Sequence, residues 1–329
     1  MFRSRILSVA GAAAWLLSGA AHAADALSSF NVDKTKTSVS GLSSGAFMAV
    51  QFHTAYSSEI MGAGVIAGGP YNCVYVNWGG IETCMQGAPI GGASYAAAQG
   101  FAALGEIDPV QNLARSRVYI YSGTKDAVVA QSVVDATYSY YQAVGVPRSQ
   151  ISYVKDVPSG HAFITPAFGS DCGKNATPFI NHCTVKKDGY DQAKAILTQI
   201  YGPLNPPSSA PAGRIAAFNQ KAFGDFMGDT GYLYVPQSCD QGAACRIHVA
   251  FHGCLQTPQD ISDQYYTKTG YNQWADTNNI LVLYPQAPSD LPSNPQHCWD
   301  WWGYSGLAFN VKAAPQMSAV KAMIDRLAK

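Results

Sequence analysis

Apolar and polar positions alternate between two periods along this chain. Residues 36–40 form a short β-like run, and residues 46–56 carry Phe47, Val50 and Ala55 near helical spacing. A small apolar strand, 63–67, ends in Gly68-Gly69-Pro70, and helical composition returns at 93–104. Residues 117–121 (RVYIY) predict a buried strand, 133–144 an amphipathic helix and 151–157 another strand. Strands alternating with helices predict an α/β fold with a mostly parallel central sheet. Residues 202–213, with Pro203, Pro206, Pro207 and Pro211, form a connector. Beyond it, 231–235 and 246–251 are strand-like, 271–278 helical and 280–284 a further strand. In the last segment, 317–327, Val320, Met323, Ile324 and Leu327 share one helical face.

The N-terminus sets the compartment. Arg3 and Arg5 precede an apolar run, 6–17, and Ala21-His22-Ala23 supplies the small residues of a signal-peptidase site, so residues 1–23 are expected to be a signal peptide. No later stretch has the apolar length of a membrane span. The expected product is exported, to the medium or the periplasm, without a membrane anchor. Eight cysteines suit an oxidising compartment. Of the 105 connectivities open to them, proximity favours Cys73 with Cys84, Cys172 with Cys183, Cys239 with Cys245, and Cys254 with Cys298. A zinc site is the competing reading, but the chain has no Cys-x-x-Cys pair and its histidines are scattered. Basic and acidic residues balance at 21 each and charged residues are only 13% of the chain, which argues against nucleic acid or anionic membrane as partner. Such a surface suits a neutral substrate.

The candidate chemistry begins at Gly41-Leu42-Ser43-Ser44-Gly45. The Gly-x-Ser-x-Gly spacing lets a serine sit on a strained strand-to-helix turn, with glycines where strand and helix pack too closely for a Cβ. Ser43 lies midway between the glycines and is preferred to Ser44. Asp126 follows the 117–121 strand and His161 follows the 151–157 strand, at the sheet edge where catalytic residues of open α/β folds gather. The order Ser43, Asp126, His161 is that of an α/β-hydrolase triad. Asp108 and Asp156 are less well placed rivals for the acid, and a turn acid and a structural loop histidine are the bland alternatives.

The elbow comes unusually early, about 20 residues after the expected cleavage point, before the strands and oxyanion loop that normally precede it. Those pieces follow the connector: strand 246–251 runs into His252-Gly253-Cys254, then a helix and a strand. A circularly permuted α/β-hydrolase, a single catalytic domain over 24–329, is the consistent expectation. Two domains split at the connector would leave Ser43 without half its site.

These motifs, with Gly123-Thr124-Lys125-Asp126, Ser159-Gly160-His161-Ala162, His252-Gly253-Cys254-Leu255-Gln256-Thr257 and Cys298-Trp299-Asp300-Trp301-Trp302, occur together in this order. Over nearly the whole mature chain they resemble secreted poly(3-hydroxybutyrate) depolymerases with a permuted catalytic domain. The resemblance implies a Ser43–His161–Asp126 triad, with the backbone N–H groups of Ser44 and Cys254 as oxyanion donors. Cys254 then serves through its backbone and a disulfide; a catalytic thiol is the weaker reading. The chain ends at Lys329, directly after the last helix, so no linker or separate granule-binding domain is expected.

Trp299, Trp301 and Trp302 form the densest aromatic cluster, and Tyr265 and Tyr266 follow the His-Gly loop. Trp299, Trp302 and the two tyrosines are the expected substrate contacts, Trp301 a lesser one, with core packing as the alternative for each. The resulting expectation is a monomeric serine esterase, needing no metal or organic cofactor, that cleaves poly(3-hydroxybutyrate) or a related polyester. A general esterase for short acyl, feruloyl-like or lactide-type esters is the alternative, and a non-catalytic polymer-binding protein a more distant one.

Overall fold

Strands from both sides of the connector join in one sheet. The computed structural model describes residues 25–185 and 188–329; the expected signal peptide lies outside the described residues. In chain order the strands are β1 Thr37–Leu42, β2 Ile60–Ile66, β3 Arg117–Tyr121, β4 Ile151–Val154, β5 Phe163–Thr165, β6 Ser170–Asp171, β7 Ile180–His182, β8 Arg214–Asn219, β9 Thr230–Val235, β10 Arg246–Phe251 and β11 Ile280–Tyr284. The main sheet has the order β4-β3-β2-β1-β10-β11-β9-β8. Its run from β4 to β11 is parallel, and β9 and β8 are antiparallel additions at one edge. The first strand of the chain is therefore a central one. Reading β8 to β11 and then β1 to β4 restores an uninterrupted hydrolase order, which is the expected circular permutation, and residues 202–213 contain no helix or strand.

The two halves meet where β1 pairs with β10, from Ser38 opposite His248 to Gly41 opposite Phe251. This seam carries polar side chains where the flanking positions are apolar. His248 Nδ1 is 2.7 Å from Ser38 Oγ and its Nε2 is 2.8 Å from Ser40 Oγ. Tyr201 and Tyr271 hydroxyls complete the cluster at 2.7 and 2.6 Å from those two serines. With every member partnered, the cluster joins the halves without leaving a buried group unpaired.

Both faces of the sheet are covered, so β1, β10 and β11 are almost wholly buried, and β10 and β11 read as largely apolar runs. The helix Ser44–Ala55 is buried at every position, which explains why its periodicity is weak in the sequence. Helices Gln131–Ala143, Gln192–Tyr201 and Pro315–Leu327 keep a polar side; the second was not anticipated, although Ala193, Ile196, Leu197 and Ile200 are its buried apolar residues.

Several expectations need correction. Two short helices, Cys73–Val76 and Gly80–Gln86, lie where the sequence pattern gave no element. The strand expected over 151–157 stops at Val154, and a small three-stranded sheet, β5-β7-β6, follows it. Strand β8 went unread because it is an edge strand with only Phe218 buried, so it lacks a clear apolar face. All eight cysteines are paired as proximity proposed.

Three fully buried histidines make the fold acid-sensitive. Burial holds His53 and His248 at about 3 and His252 at about 4, with the nearby Arg115 charge also lowering His53. In the unfolded chain each titrates near 6.5. Between the folded and unfolded values the unfolded state binds more protons, so stability is present above about pH 6.5 and is lost as pH falls below it. Urea unfolding midpoints are expected to drop steadily from pH 6.5 to pH 5, and His53→Gln to show a shallower drop; a flat profile over that window would contradict the assignment.

Candidate active site

The turn from β1 into the helix Ser44–Ala55 holds Ser43 at φ 56° and ψ −124°, a backbone conformation that a non-glycine residue adopts at a cost of about 1–3 kcal/mol. Bonds on both sides enforce it. Ser43 N–H donates to the Ile66 carbonyl at 2.9 Å, and the Ser43 carbonyl accepts from Ala46 and Phe47 at 2.8 and 3.0 Å. The flanking glycines serve close approach, as the motif requires. A Cβ on Gly41 would overlap the Gly45 carbonyl, and a Cβ on Gly45 would overlap the carbonyls of Phe251 and His252 at the end of β10.

Asp126 and His161 come together from the loops after β3 and β4. His161 Nδ1 lies 2.8 Å from Asp126 Oδ2, and their side chains are only 4% and 2% exposed. Asp126 Oδ1 accepts the N–H groups of Val128 and Val129 at 2.8 and 2.9 Å, which fixes the carboxylate plane. Asn175, which sequence reasoning missed, fastens both loops. Its Oδ1 accepts from His161 N–H at 2.7 Å and Ala127 N–H at 3.0 Å, and its Nδ2 donates to the Lys125 carbonyl at 3.0 Å. The rival acids lie elsewhere: Asp108 binds Ser58 and Lys312, and Asp156 is an exposed residue near Lys155 and Val157. Ser44 is buried, and its Oγ accepts the Trp299 N–H at 3.3 Å.

The His252-Gly253-Cys254 loop lies beside the elbow: a Cβ on Gly253 would sit 3.4 Å from that of Ser43. Ala287 N–H donates to His252 Nε2 at 3.1 Å. Because Nε2 accepts, the proton of this neutral imidazole is on Nδ1, which donates to the Gly253 carbonyl at 2.7 Å. In a planar trans peptide the N–H points opposite to the carbonyl. Anchoring the Gly253 carbonyl on buried His252 thus sends the Cys254 N–H the other way, and Gly253 and Cys254 line the same cavity as Ser43. Ser44 opens its helix, so its N–H has no carbonyl one turn back to bind. The Cys254–Cys298 disulfide ties this loop to the tryptophan segment.

Ser43, Ser44, His161, Gly253 and Cys254 share one cavity of about 430 Å³. Leu42, Ile81, Met85, Val128, Val129 and Phe179 are among its apolar walls. Trp301 and Trp302 also line it, with Trp301 stacked on Phe47 at 4.3 Å between ring centroids. The other expected aromatics, Trp299, Tyr265 and Tyr266, do not line this cavity. Trp299 is fully buried and packs on Phe251 and His252. Tyr265 is buried, with its hydroxyl on the Phe251 carbonyl at 2.7 Å, and Tyr266 stacks on Tyr232 at 4.0 Å. Trp299 and Tyr265 pack the core at the end of β10, and the partly buried Tyr266 packs on β9. The tryptophan segment is a turn wound around Asp300. That buried carboxylate accepts the N–H groups of Trp302, Gly303, Tyr304 and Ser305, and an acid amid tryptophans was the available signal.

Comparison with known proteins adds kinship to this geometry. Residues 231–328 match the Esterase PHB depolymerase family. A poly(3-hydroxybutyrate) depolymerase of Delftia acidovorans is 44% identical over 97% of this chain, which spans 65% of that relative's length. A polyhydroxybutyrate depolymerase of Talaromyces funiculosus is 38% identical over 95% of this chain and 96% of its own. A solved PHB depolymerase complexed with an R3HB trimer superposes with a TM-score of 0.85 at 35% identity, covering 92% of this chain and 98% of that one.

The orientation of the Gly253–Cys254 peptide yields a separable test. Asn at position 252 keeps a donor where Nδ1 stands but loses the acceptor for Ala287, whereas Gln presents its amide near Nε2 and loses that donor. For turnover of a soluble p-nitrophenyl ester, His252→Asn is expected to keep kcat within about tenfold of wild type with a lowered Tm. His252→Gln is expected to lose about 100-fold in kcat, the size of a lost oxyanion donor. Equal kcat in the two variants would refute the peptide-orienting role.

Proposed function

The chain belongs to the polyhydroxybutyrate depolymerase family, and from that premise we propose that it is an exported serine esterase cleaving poly(3-hydroxybutyrate), or a closely related short-chain polyhydroxyalkanoate, to oligomers and monomer. The observation that carries this reading is the buried Asp126–His161 pair at 2.8 Å, opening on the same cavity as the strained Ser43. Ser43 Oγ attacks an ester carbonyl while His161 Nε2 takes its proton. Asp126 holds the tautomer through Nδ1 and stabilises the imidazolium. The N–H groups of Ser44 and Cys254 receive the developing oxyanion, each contributing about 3–4 kcal/mol to the transition state. His161 then protonates the departing 3-hydroxyl, and water activated by the same imidazole releases the acyl group from Ser43.

The substrate class follows from the cavity walls and the kinship. Val128, Val129, Met85 and Ile81 offer an uncharged apolar surface to short aliphatic side groups, and Trp301 and Trp302 flank it. The solved relative in complex with an R3HB trimer supports an oligoester of this chemistry. All groups of the proposed triad and both oxyanion donors come from one chain, which supports a monomeric single-domain catalyst. Four disulfides support export, and among the described residues no helix is long and apolar enough to cross a membrane.

Clearing of a poly(3-hydroxybutyrate) suspension tests the proposal. Wild type should clear it and be labelled by a fluorophosphonate, whereas Ser43→Ala should lose both, with soluble-ester turnover down by about 10⁴-fold or more. Labelling of Ser43→Ala at the wild-type level would remove Ser43 as nucleophile. Turnover of soluble esters by wild type without clearing would leave an esterase and discard the polymer assignment.

A further inference from the structure

Gln256 is a buried side chain, 1% exposed, that the mechanism above does not use. Its amide spans two loops that approach the site from opposite halves of the chain. The carbonyl oxygen Oε1 accepts the Gly253 N–H at 2.7 Å, immediately before the peptide that presents the Cys254 N–H. The amide nitrogen Nε2 donates to the carbonyls of Pro178 and Phe179, at 2.8 and 3.1 Å. Phe179 lines the cavity and sets its ring edge-on to His161, 5.9 Å between centroids. Its carbonyl also accepts the Phe163 N–H at 2.9 Å, so the backbone that Gln256 grips is tied to β5 and leads directly into β7, in the small sheet that follows the histidine loop.

On the proposed esterase reading, we infer that Gln256 is a positioning residue that holds the Cys254 oxyanion donor in register with His161. The elbow ties Ser43 to β10 through Gly45, and Asn175 ties His161 to Asp126, but neither tie connects the oxyanion loop with the histidine. Gln256 makes that connection directly, and only an amide has the required polarity at each end. The oxygen must accept from one loop and the nitrogen must donate to the other. A carboxylate at the same place satisfies the Gly253 N–H but turns a bare oxygen toward two carbonyls. A carboxylic acid restores one of those donations.

Gln256→Glu therefore converts the tie into a pH-dependent one. The titratable groups around this position are His252 on the preceding loop, the Asp260–His297 pair on the following turn, joined at 3.0 Å, and His161 beyond the Phe179 ring. All are present in wild type, so the ratio of variant to wild-type kcat isolates the new carboxyl. Two facing carbonyls and burial favour its neutral form. With a soluble p-nitrophenyl ester, that ratio should lie near one at acidic pH and fall by tenfold or more as pH rises. KM should stay within about twofold, and activity should return on reacidification. Gln256→Leu should lower kcat at every pH. Far-UV circular dichroism at each pH establishes that the variant is folded during the measurement. A ratio independent of pH, or a pH-dependent KM with constant kcat, overturns the inference. Retention of ester turnover by Ser43→Ala would instead overturn the esterase reading, so the two failures are distinguishable.

Discussion

The parallel pairing of β1 with β10 is the constraint on which the rest of the molecule depends. It brings the strand that leads into Ser43 beside the strand that leads into His252, with Gly41 opposite Phe251. Ser43 and the His252-Gly253-Cys254 loop are then neighbours by sheet register, whatever the loops do. Gly45 turns that register into contact, since its missing Cβ lets the start of a fully buried helix rest on the carbonyls of Phe251 and His252. A histidine and two serines seal the pairing from within the sheet.

Around this frame, the site is held by neutral hydrogen bonds in places where charges would be costly. His252, Asn175 and Gln256 each bind backbone groups of at least one loop at the site, and all three act through uncharged side chains. Buried ions must pay a desolvation penalty that a neutral amide or imidazole avoids. Asp126 is the carboxylate paired with His161, and Asp300 is the one that winds the tryptophan turn, each bound by backbone N–H donors. A low-charge composition is consistent with this construction.

Much of this was legible in the sequence, for identifiable reasons. Strands β10 and β11 match the expected boundaries because they are buried apolar runs flanked by turn residues. The elbow was legible because Gly-x-Ser-x-Gly encodes backbone clashes, and the acid and histidine because each follows a strand. What escaped depends on contacts far apart in sequence. Nothing local distinguishes Asn175 or Gln256 from other polar loop residues, since each takes its meaning from partners on other segments. Tyr265 and Tyr266 misled because aromatic residues serve cores and clefts alike, and only the fold decides which.

The permuted order also bears on how the chain reaches its native state. Ser38 and His248 are 210 residues apart in sequence, yet they sit side by side at the centre of the sheet. A polypeptide made from its N-terminus produces β1 to β4 first, with the inner edge of β1 unpaired until most of the chain has followed. Closing so long a loop delays the central pairing, and an open strand edge in the meantime is prone to pair with other chains. Export in an unfolded form would let both halves arrive before either commits. In this light the arrangement links the candidate site to assembly: the surroundings of Ser43 are complete only when the last third of the chain has folded against its first.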